Sequence, residues 1–380
     1  MVPKILVVDD EPDLEHLIKQ KFRKEIRDNK YNFFFAGNGV KALEKLNEDN
    51  NIELVLTDIN MPEMDGLTLL KKMQELNNPL LRSVFISAYG DIVNIRTAMN
   101  GGAFDFVVKP IDLNDLEITI KKALDNLETL KKALKSRDEL ILVQKELQDA
   151  RELQLSMLPK NLPDYNNLDI AVYMRTATEV GGDYYDFHVN KDDGLTVVIG
   201  DATGHGLKAG MMVTTAKSLF NSYSNSDDII YIFSEMTRCI KQMHFNKLSM
   251  CLALLKFNES KLTMSSAGMP SIYIYRKKTN TVEEFEFQGM PLGTMENFPY
   301  KTEVTDLNSG DTIFLTSDGF PELLNGKNEQ FGYERIKTTF LECADKAPEE
   351  IIENFKIKGS NWAGDKDPDD DVTFVVIKVK

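Results

Sequence analysis

The sequence predicts an α/β protein in three parts. Residues 1–121 should form a doubly wound, five-stranded parallel sheet, residues 122–158 a coiled-coil helix, and residues 159–380 a layered domain of strands and helices. Three observations predict this division. Five short apolar runs alternate with amphipathic stretches in the first part, neither glycine nor proline interrupts the second, and β-type and helical patterns come in blocks in the third. A chain of 380 residues is also too long for one compact domain.

Buried strands account for the apolar runs of the first part. Between the runs lie amphipathic helical patterns, such as Leu14, Leu17, Ile18 and Phe22. Strands that alternate with helices in this way form parallel sheets, and ligands bind at the carboxyl ends of such strands. The runs are Ile5–Val8, Phe33–Phe35, Leu54–Leu56, Val84–Ile86 and Phe104–Val108.

Apolar residues recur at heptad-like spacing between residues 122 and 158. One series occupies positions 127, 130, 134 and 141, and a second, out of phase with it, occupies 140, 143, 147, 150 and 157. The change of phase predicts a stutter near residue 140. A lone helix would expose this stripe to water, so we predict a two-stranded parallel coiled coil and a homodimer. The alternative is one solvated helix that extends the last helix of the first part.

The third part is rich in β-type runs, and its helical patterns are grouped separately at 207–223, 227–243 and 347–356. Grouping of this kind predicts α+β layering. The runs include Leu195–Ile199, Met250–Lys256, Ser271–Tyr275, Thr312–Leu315 and Thr373–Val379.

The composition argues against several classes of protein. A net charge of −15 disfavours a nucleic-acid binder, and neither a helix-turn-helix pattern nor a basic patch supports a transcription regulator. No apolar run approaches about 18 residues and the first residues do not resemble a signal peptide, so we expect no membrane association. Three widely spaced cysteines suit a reduced, cytoplasmic protein.

Polar residues follow the predicted strands of the first part. Asp9 and Asp10 end the first strand, Asp58 the third, Ser87 the fourth and Lys109 the fifth. If these strands are adjacent, their polar ends meet at one edge of the sheet, where three carboxylates would repel one another without a cation. Mg²⁺ is the natural occupant of such a site. A lysine and a hydroxyl nearby would suit a phosphoryl group on Asp58.

This pattern resembles the response-regulator receiver family over the whole first part. The resemblance implies that a histidine kinase or phosphotransfer protein phosphorylates Asp58. It implies Mg²⁺ on Asp10 and Asp58, with Asp9 close by and the backbone carbonyl of Asn60 as a further ligand. The remaining implied residues are the phosphate contacts Lys109 and Ser87 and the aromatic switch Phe106. The alternative is a receiver-like fold that is not phosphorylated.

Four separated aspartate segments mark the third part. Each lies beside a β-type run, and glycines in three of the four segments allow close backbone approach. Convergent carboxylates with almost no histidine or cysteine favour Mg²⁺ or Mn²⁺, and two such ions about 4 Å apart would clamp a phosphate and activate a water. The segments are Gly181-Gly182-Asp183, Gly200-Asp201-Ala202-Thr203-Gly204-His205-Gly206, Thr316-Ser317-Asp318-Gly319 and Asp369-Asp370-Asp371-Val372-Thr373.

In this order, the segments resemble the SpoIIE-like branch of the PPM-type metal-dependent serine/threonine phosphatases, over about residues 150–380. The resemblance implies an α-β-β-α sandwich that binds two Mn²⁺ or Mg²⁺ ions. Further matching motifs are GlnLeuSerMetLeuPro at 154–159, SerAlaGlyMetPro at 266–270, GlyMetProLeuGly at 289–293 and PheGlyTyrGluArgIle at 331–336. The implied metal ligands are Asp183, Asp201, Asp318, Asp370 and the backbone carbonyl of Ala202.

The resemblance also suggests roles for Asp201, His205 and Arg175 in catalysis. The guanidinium of Arg175 is a candidate clamp for the substrate phosphate, and His205 is a candidate acid for the leaving hydroxyl. Asp370 is preferred to Asp371 as the fourth ligand because the family uses the first acid of its Asp-Asp-x-Thr element. Met269 and Ala202 depart from the family pattern, but neither change removes a ligand.

Together these resemblances imply a two-component response regulator in which Asp58 phosphorylation controls a phosphoserine/phosphothreonine protein phosphatase. In related proteins the substrate is an anti-sigma-factor antagonist, so partner-switching signalling is the expected context. The alternative is a non-catalytic adaptor that binds and sequesters a regulatory partner when Asp58 is phosphorylated.

Overall fold

A computed structural model describes residues 2–88, 91–165, 167–190, 194–245, 248–364 and 366–380. The chain divides into two compact units, Met1–Leu142 and Val143–Lys380. Within the described residues, the helices lack the combination of length and apolar character that a membrane span requires.

The first unit contains a five-stranded sheet with the order β2-β1-β3-β4-β5, and all of its strand pairs are parallel. This confirms the predicted doubly wound sheet. The strands are β1 (Lys4–Val8), β2 (Asn32–Ala36), β3 (Ile52–Asp58), β4 (Arg82–Ala88) and β5 (Asp105–Lys109). The helices are α1 (Pro12–Lys21), α2 (Arg23–Arg27), α3 (Gly39–Glu48), α4 (Gly66–Glu75), α5 (Ile92–Asn100) and α6 (Leu113–Met157).

Alternation along the strands explains why helices cover both faces of this sheet. In β1, Ile5 and Val7 belong to one buried cluster, which includes residues of α1 and α6. Leu6 and Val8 belong to another, which includes residues of α3 and α4. Successive side chains of a strand point to opposite faces, so a strand that is apolar throughout requires cover on both.

Helix α6 begins at Leu113, within the predicted first part, and continues without interruption to Met157. Its first turns belong to the first unit, because Leu116, Ile120 and Ala123 are fully buried in the core there. Farther along, four consecutive apolar residues, 140–143, are all more than half exposed in the single chain. One chain does not test the coiled coil, which remains a prediction.

The second unit contains two five-stranded sheets whose strand pairs are antiparallel, with the orders β13-β10-β9-β8-β7 and β12-β11-β14-β15-β6. The strands are β6 (Leu168–Arg175), β7 (Asp183–Val189), β8 (Leu195–Ala202), β9 (Met250–Asn258), β10 (Lys261–Ala267), β11 (Ile272–Arg276), β12 (Thr281–Phe285), β13 (Glu303–Asp306), β14 (Thr312–Thr316) and β15 (Val372–Val379). The helices are α7 (Leu207–Tyr223), α8 (Ile229–Gln242), α9 (Tyr333–Cys343) and α10 (Pro348–Ala363).

These elements stack in four layers. Val197 of β8 and Ile313 of β14 lie in the buried cluster between the two sheets. Their neighbours point outward: Val198 joins the cluster formed with α7 and α8, and Phe314 joins the cluster formed with α9 and α10. This arrangement confirms the predicted α-β-β-α sandwich.

Helix α9 was not among the predicted helices. Its buried residues Ile336, Thr339, Phe340 and Cys343 follow the spacing i, i+3, i+4, i+7 that is typical of a helix packed on one side. The signal was therefore present, but it is short and lies beside the PheGlyTyrGluArgIle motif.

Candidate functional site

Three carboxylates converge at the carboxyl edge of the parallel sheet. Asp9 and Asp10 follow β1 and Asp58 ends β3, and one oxygen from each lies within 4.8 Å of the others. The ammonium of Lys109, at the end of β5, donates to Asp58 Oδ2 at 2.7 Å and to Asp9 Oδ2 at 3.1 Å. The fold therefore brings together the residues that the strand ends predicted.

The charges at this edge are only partly balanced. Burial raises the pKa of Asp9, against the opposing effect of hydrogen bonds from the Glu11 N–H and from Lys109. Burial alone would lower the pKa of Lys109, but its hydrogen bonds with Asp58 and Asp9 outweigh that effect and raise it, so the lysine stays charged. Three carboxylates facing one lysine leave an excess of oxygen donors and negative charge, which suits a hard divalent cation.

The other predicted receiver residues are Ser87, Asn60 and Phe106. Ser87 adjoins Ile86, which pairs with Asp58 across the sheet, and its buried hydroxyl has no hydrogen-bond partner among the described residues. Asn60 is exposed, and its N–H lies 3.4 Å from Asp58 Oδ1. Phe106 lies on the edge strand β5 with 38% of its surface exposed.

Four aspartates meet at one end of the sandwich in the second unit. Asp183 begins β7 and lies directly opposite Asp201 of β8 in the strand register. Asp318 follows β14 and Asp370 precedes β15, and these two strands pair at the same end. All four predicted ligands are therefore carried by strand ends of the two sheets.

Two hydroxyls join the sheets beneath the carboxylates. Ser317 Oγ, from the end of β14, donates to Asp183 Oδ2 at 2.8 Å, and Thr373 Oγ1, from β15, donates to the same oxygen at 2.6 Å. All three residues are buried. Sequence reasoning did not identify Ser317 or Thr373 as site residues, although both stand within the quoted aspartate segments.

Burial and mutual repulsion disfavour the ionised state of these carboxyls. Burial, the largest cause, raises the pKa of Asp183 to about 8 despite the Thr373 hydrogen bond. Burial together with the neighbouring aspartates raises the pKa of Asp201 to about 9, and burial together with Asp370 raises that of Asp318 to about 6. Among the described residues, no lysine or arginine forms an ion pair with any of the four. The missing counter-charge and the all-oxygen donor set fit divalent cations.

Glycines give the oxygens of this site room to approach one another. A Cβ on Gly182 would lie 3.0 Å from the carbonyl oxygen of Ala202 and 3.2 Å from Asp201 Oδ1. A Cβ on Gly319 would lie 2.1 Å from the carbonyl oxygen of Asp371. The Ala202 carbonyl therefore lies beside the Asp201 carboxylate, as a shared ligand set requires.

These oxygens are spread more widely than those of the first unit. In the described part of the second unit, no three carboxylates have ligand atoms within 4.8 Å of one another. Two ions about 4 Å apart need ligands distributed around both of them, and a wider spacing is consistent with that arrangement.

The neighbours Asp370 and Asp371 occupy different environments. Asp371 is buried, and its carboxylate accepts hydrogen bonds from the backbone N–H groups of Ala177 at 2.7 Å, of Asp183 at 3.2 Å and of Gly182. Asp370 is exposed, and one of its oxygens accepts the N–H of Asp371 at 2.8 Å. The carboxylate of Asp371 is therefore occupied by backbone N–H groups. Asp370 remains the better candidate for a metal ligand.

Arg175 and His205 lie at the rim of the site. The half-exposed guanidinium of Arg175 forms an ion pair with Asp367. In the sheet, Arg175 at the end of β6 lies opposite Val372 at the start of β15. His205 is exposed in the loop between β8 and α7. Although Asp370 keeps an exposed surface, partial loss of solvation by its neighbours raises its pKa, and the nearby His205 opposes that shift. His205 is therefore near enough to Asp370 to interact with it electrostatically, whereas Arg175 is bound to Asp367.

Two family models match the chain, one in each unit. The response regulator receiver domain matches residues 5–121, and Stage II sporulation protein E (SpoIIE) matches residues 191–380, half of the chain. The chain is 34% identical over 124 residues to sporulation initiation phosphotransferase F of Bacillus subtilis, which covers 33% of this chain and 95% of that protein.

The chain spans only part of other relatives. It is 27% identical over 183 residues to phosphoserine phosphatase RsbU of B. subtilis, covering 47% of this chain and 54% of RsbU. It is 35% identical over 136 residues to regulatory protein AtoC of Escherichia coli, covering 35% of this chain and 28% of AtoC.

Among solved structures, the SiaA-PP2C domain of Pseudomonas aeruginosa superposes with a TM-score of 0.56 at 21% identity, covering 64% of this chain and 99% of that domain. This likeness shows the fold. The chain therefore belongs to the SpoIIE family and carries a response regulator receiver domain at residues 5–121.

Proposed function

We propose that the protein is a metal-dependent phosphoserine/phosphothreonine protein phosphatase under the control of Asp58 phosphorylation. One observation carries the catalytic half: Asp183, Asp201, Asp318 and Asp370 converge at one end of the sandwich without a cationic partner in the described chain. The similarity to RsbU, a phosphoserine phosphatase, supports the substrate class.

The chain's own residues divide the work at this site. The four aspartates and the Ala202 carbonyl would hold two Mn²⁺ or Mg²⁺ ions. When bound, these ions supply a hydroxide nucleophile and neutralise the charge that develops on the phosphoryl oxygens. Arg175 releases Asp367 and then binds the substrate phosphate. His205 donates a proton to the departing seryl or threonyl oxygen.

The first unit receives the signal. A histidine kinase or phosphotransfer protein donates a phosphoryl group to Asp58, with Mg²⁺ held by Asp10, Asp58 and the Asn60 carbonyl, and with Asp9 close by. Lys109 binds one phosphoryl oxygen. The hydroxyl of Ser87, which has no partner among the described residues, donates to another phosphoryl oxygen. Phe106 then repositions from its half-exposed site on β5.

Helix α6 carries this signal between the units in a parallel homodimer. The exposed apolar residues 140–143 support a partner helix, because water contact along that stripe is unfavourable. The substrate is a phosphorylated protein, and an anti-sigma-factor antagonist is the class we propose from the family resemblance.

The direct test is phosphate release from a serine-phosphorylated antagonist protein with Mn²⁺, measured with and without beryllofluoride, which mimics the acyl phosphate of Asp58. Asp201→Asn should abolish release while the protein remains folded, and Asp58→Asn should abolish the response to beryllofluoride. If the protein binds the phosphorylated antagonist but never releases phosphate, it is an adaptor instead. An unchanged rate in Asp201→Asn would disprove the assignment of metal ligands.

A further inference from the structure

A surface pocket of about 290 Å³ lies beside the loop that precedes β15. Its floor is apolar, because Phe320, Val372 and Phe374 line it and all three are buried. Exposed residues also line it, among them Asp367 of that loop and Arg175 at the end of β6. The pocket therefore adjoins the residue that we assign as the clamp for the substrate phosphate.

Two lysines line the pocket, and each is held by a partner of its own. Lys356 bonds to Glu353 on the same helix at 2.7 Å, and Lys366 donates to the side chain of Asn328 at 3.2 Å. The ammonium of Lys356 also lies over the ring of Tyr173, 5.5 Å from its centroid. The wall of the pocket thus already accommodates a cation against an aromatic face.

Asp367 has a different partner, because its carboxylate bonds to the guanidinium of Arg175. Among the described residues, this is the one ion pair that either side chain forms. In the proposed function Arg175 leaves this carboxylate to bind the substrate phosphate. Its departure leaves Asp367 without a counter-charge, next to the aromatic wall. A positive side chain suits this position, since it restores the ion pair and stacks on the wall.

The end of α10 adds negative potential to the same pocket. Ser360 and Ala363, which line it, belong to the last turn of this helix, and Gly364 follows the helix end. The backbone carbonyls at the C-terminus of a helix carry partial negative charge. Lys356 and Lys366 oppose a further cation, but each is already bound to its own partner. Once Arg175 has moved, the pocket therefore favours a cation over an anion.

We infer that Asp367 recognises a basic side chain of the phosphoprotein substrate close to the phosphoserine. The inference rests on the proposed function, because Arg175 must exchange Asp367 for the phosphate. Two ion pairs then replace one: the phosphate with Arg175, and the substrate's arginine or lysine with Asp367. Asp367 stands three residues before Asp370, and three extended residues span at most about 11 Å. The basic residue therefore lies within about three residues of the phosphoserine.

The test uses the full-length protein with Mn²⁺ and a set of phosphoserine peptides. Each peptide carries arginine, alanine or glutamate at one position within about three residues of the phosphoserine, in an otherwise constant sequence. Asp367→Lys reverses the charge at an exposed position, and Asp367→Asn removes it. Asp306→Lys is the control with the same change in charge, because Asp306 is exposed on β13, an edge strand of the other sheet. Turnover of p-nitrophenyl phosphate, which has no basic side chain, shows that a variant is active, and circular dichroism shows that it is folded.

We expect arginine at one position to raise kcat/KM about 5–30-fold over alanine, the gain typical of an exposed ion pair together with a cation–π contact. Asp367→Asn should remove this preference, and Asp367→Lys should reverse it in favour of glutamate. The control should keep the preference of the parent to within twofold. Comparing peptides on the same variant cancels any general change in activity from the ratio.

A parent protein that turns over p-nitrophenyl phosphate but prefers arginine at no position overturns the inference and leaves the proposed function intact. An arginine preference in Asp367→Lys within twofold of the parent also overturns it, because the cation is then bound elsewhere. If Asp367→Lys does not fold, the ratio measured for Asp367→Asn decides in the same way. A parent that hydrolyses neither the peptides nor p-nitrophenyl phosphate with Mn²⁺ overturns the proposed function, and this inference with it.

Discussion

Separate substitutions of Asp370 and Asp371 should have different effects, one on catalysis and the other on stability. Asp371→Ala removes a buried carboxylate and strands the backbone N–H groups of Ala177, Gly182 and Asp183. Asp370→Ala removes an exposed carboxylate that accepts one local N–H. We expect Asp371→Ala to destabilise the second unit strongly, and Asp370→Ala to abolish phosphate release with little loss of stability.

The expected changes in the free energy of unfolding follow from the buried environment of Asp371 and the exposed environment of Asp370. A hydrogen bond to a charged group contributes about 1.5–3 kcal/mol, and a buried N–H that loses its partner costs about 1–3 kcal/mol. The three bonds of Asp371 share one carboxylate and water can enter the space left by the side chain, so their contributions are not additive and a loss of about 3–5 kcal/mol is expected. At the exposed Asp370, the change should stay within about 0.5 kcal/mol. Because Asp370→Ala removes repulsion among the aspartates, we expect it to stabilise the metal-free protein slightly.

The assay is urea unfolding in EDTA, followed by tryptophan fluorescence. The chain has a single tryptophan, Trp362 in α10, whose indole N–H donates to the Leu323 carbonyl at 3.1 Å, so fluorescence reports on the second unit. Asp371→Asn is the conservative companion: its amide retains one acceptor oxygen, but it places an NH₂ group against backbone donors. If Asp371→Ala lowers the free energy of unfolding by less than about 1 kcal/mol, its assigned structural role is wrong. If Asp370→Ala still releases phosphate, its assigned role as a metal ligand is wrong.

Three further predictions concern the metal site, the phosphoacceptor and the helix. The metal-free second unit should lose stability as pH rises from 6 to 9. The raised pKa values of Asp183 and Asp201, about 8 and about 9, stabilise the fold below the ordinary carboxyl pKa, and that stabilisation is lost as pH rises through the raised values. A fall of a few kcal/mol in the urea-unfolding free energy, reversed by Mn²⁺, checks this, since one pKa unit is about 1.4 kcal/mol; a flat profile contradicts it. Acetyl [³²P]phosphate should label the protein and fail to label Asp58→Asn, whereas equal labelling of both would place the phosphoacceptor elsewhere. Sedimentation equilibrium at micromolar concentration should give a dimer mass, and Ile141→Lys, in the exposed apolar stretch, should shift it toward monomer; a monomeric parent would exclude the coiled coil.

The parallel sheet was predictable because its signal is local. Each strand of the first unit is a short apolar run, and each functional residue stands at the end of such a run, so the position of Asp58 or Lys109 follows from topology alone. Sheet geometry brings strand ends together whatever the loops do. The four aspartates of the second unit could be predicted because each lies beside a strand and because their order resembles that of the family, which implied their role as ligands.

Contacts between distant segments were not predictable from the sequence. The hydroxyls of Ser317 and Thr373 meet Asp183 only because two sheets stack, and the amide of Gln154 meets Gly181 only because the end of α6 packs there. The ion pair between Arg175 and Asp367 is likewise set by a loop whose course no periodic pattern specifies.

The two carboxylate clusters differ in a way that bears on control. In the first unit Lys109 already balances part of the charge through its hydrogen bonds to Asp58 and Asp9. The second cluster has no such cation in the described chain, and its carboxyls are held where burial disfavours ionisation. If these carboxyls hold metal ions, as we propose, the metal affinity of the second cluster depends on how closely the backbone brings Asp183 and Asp201 together.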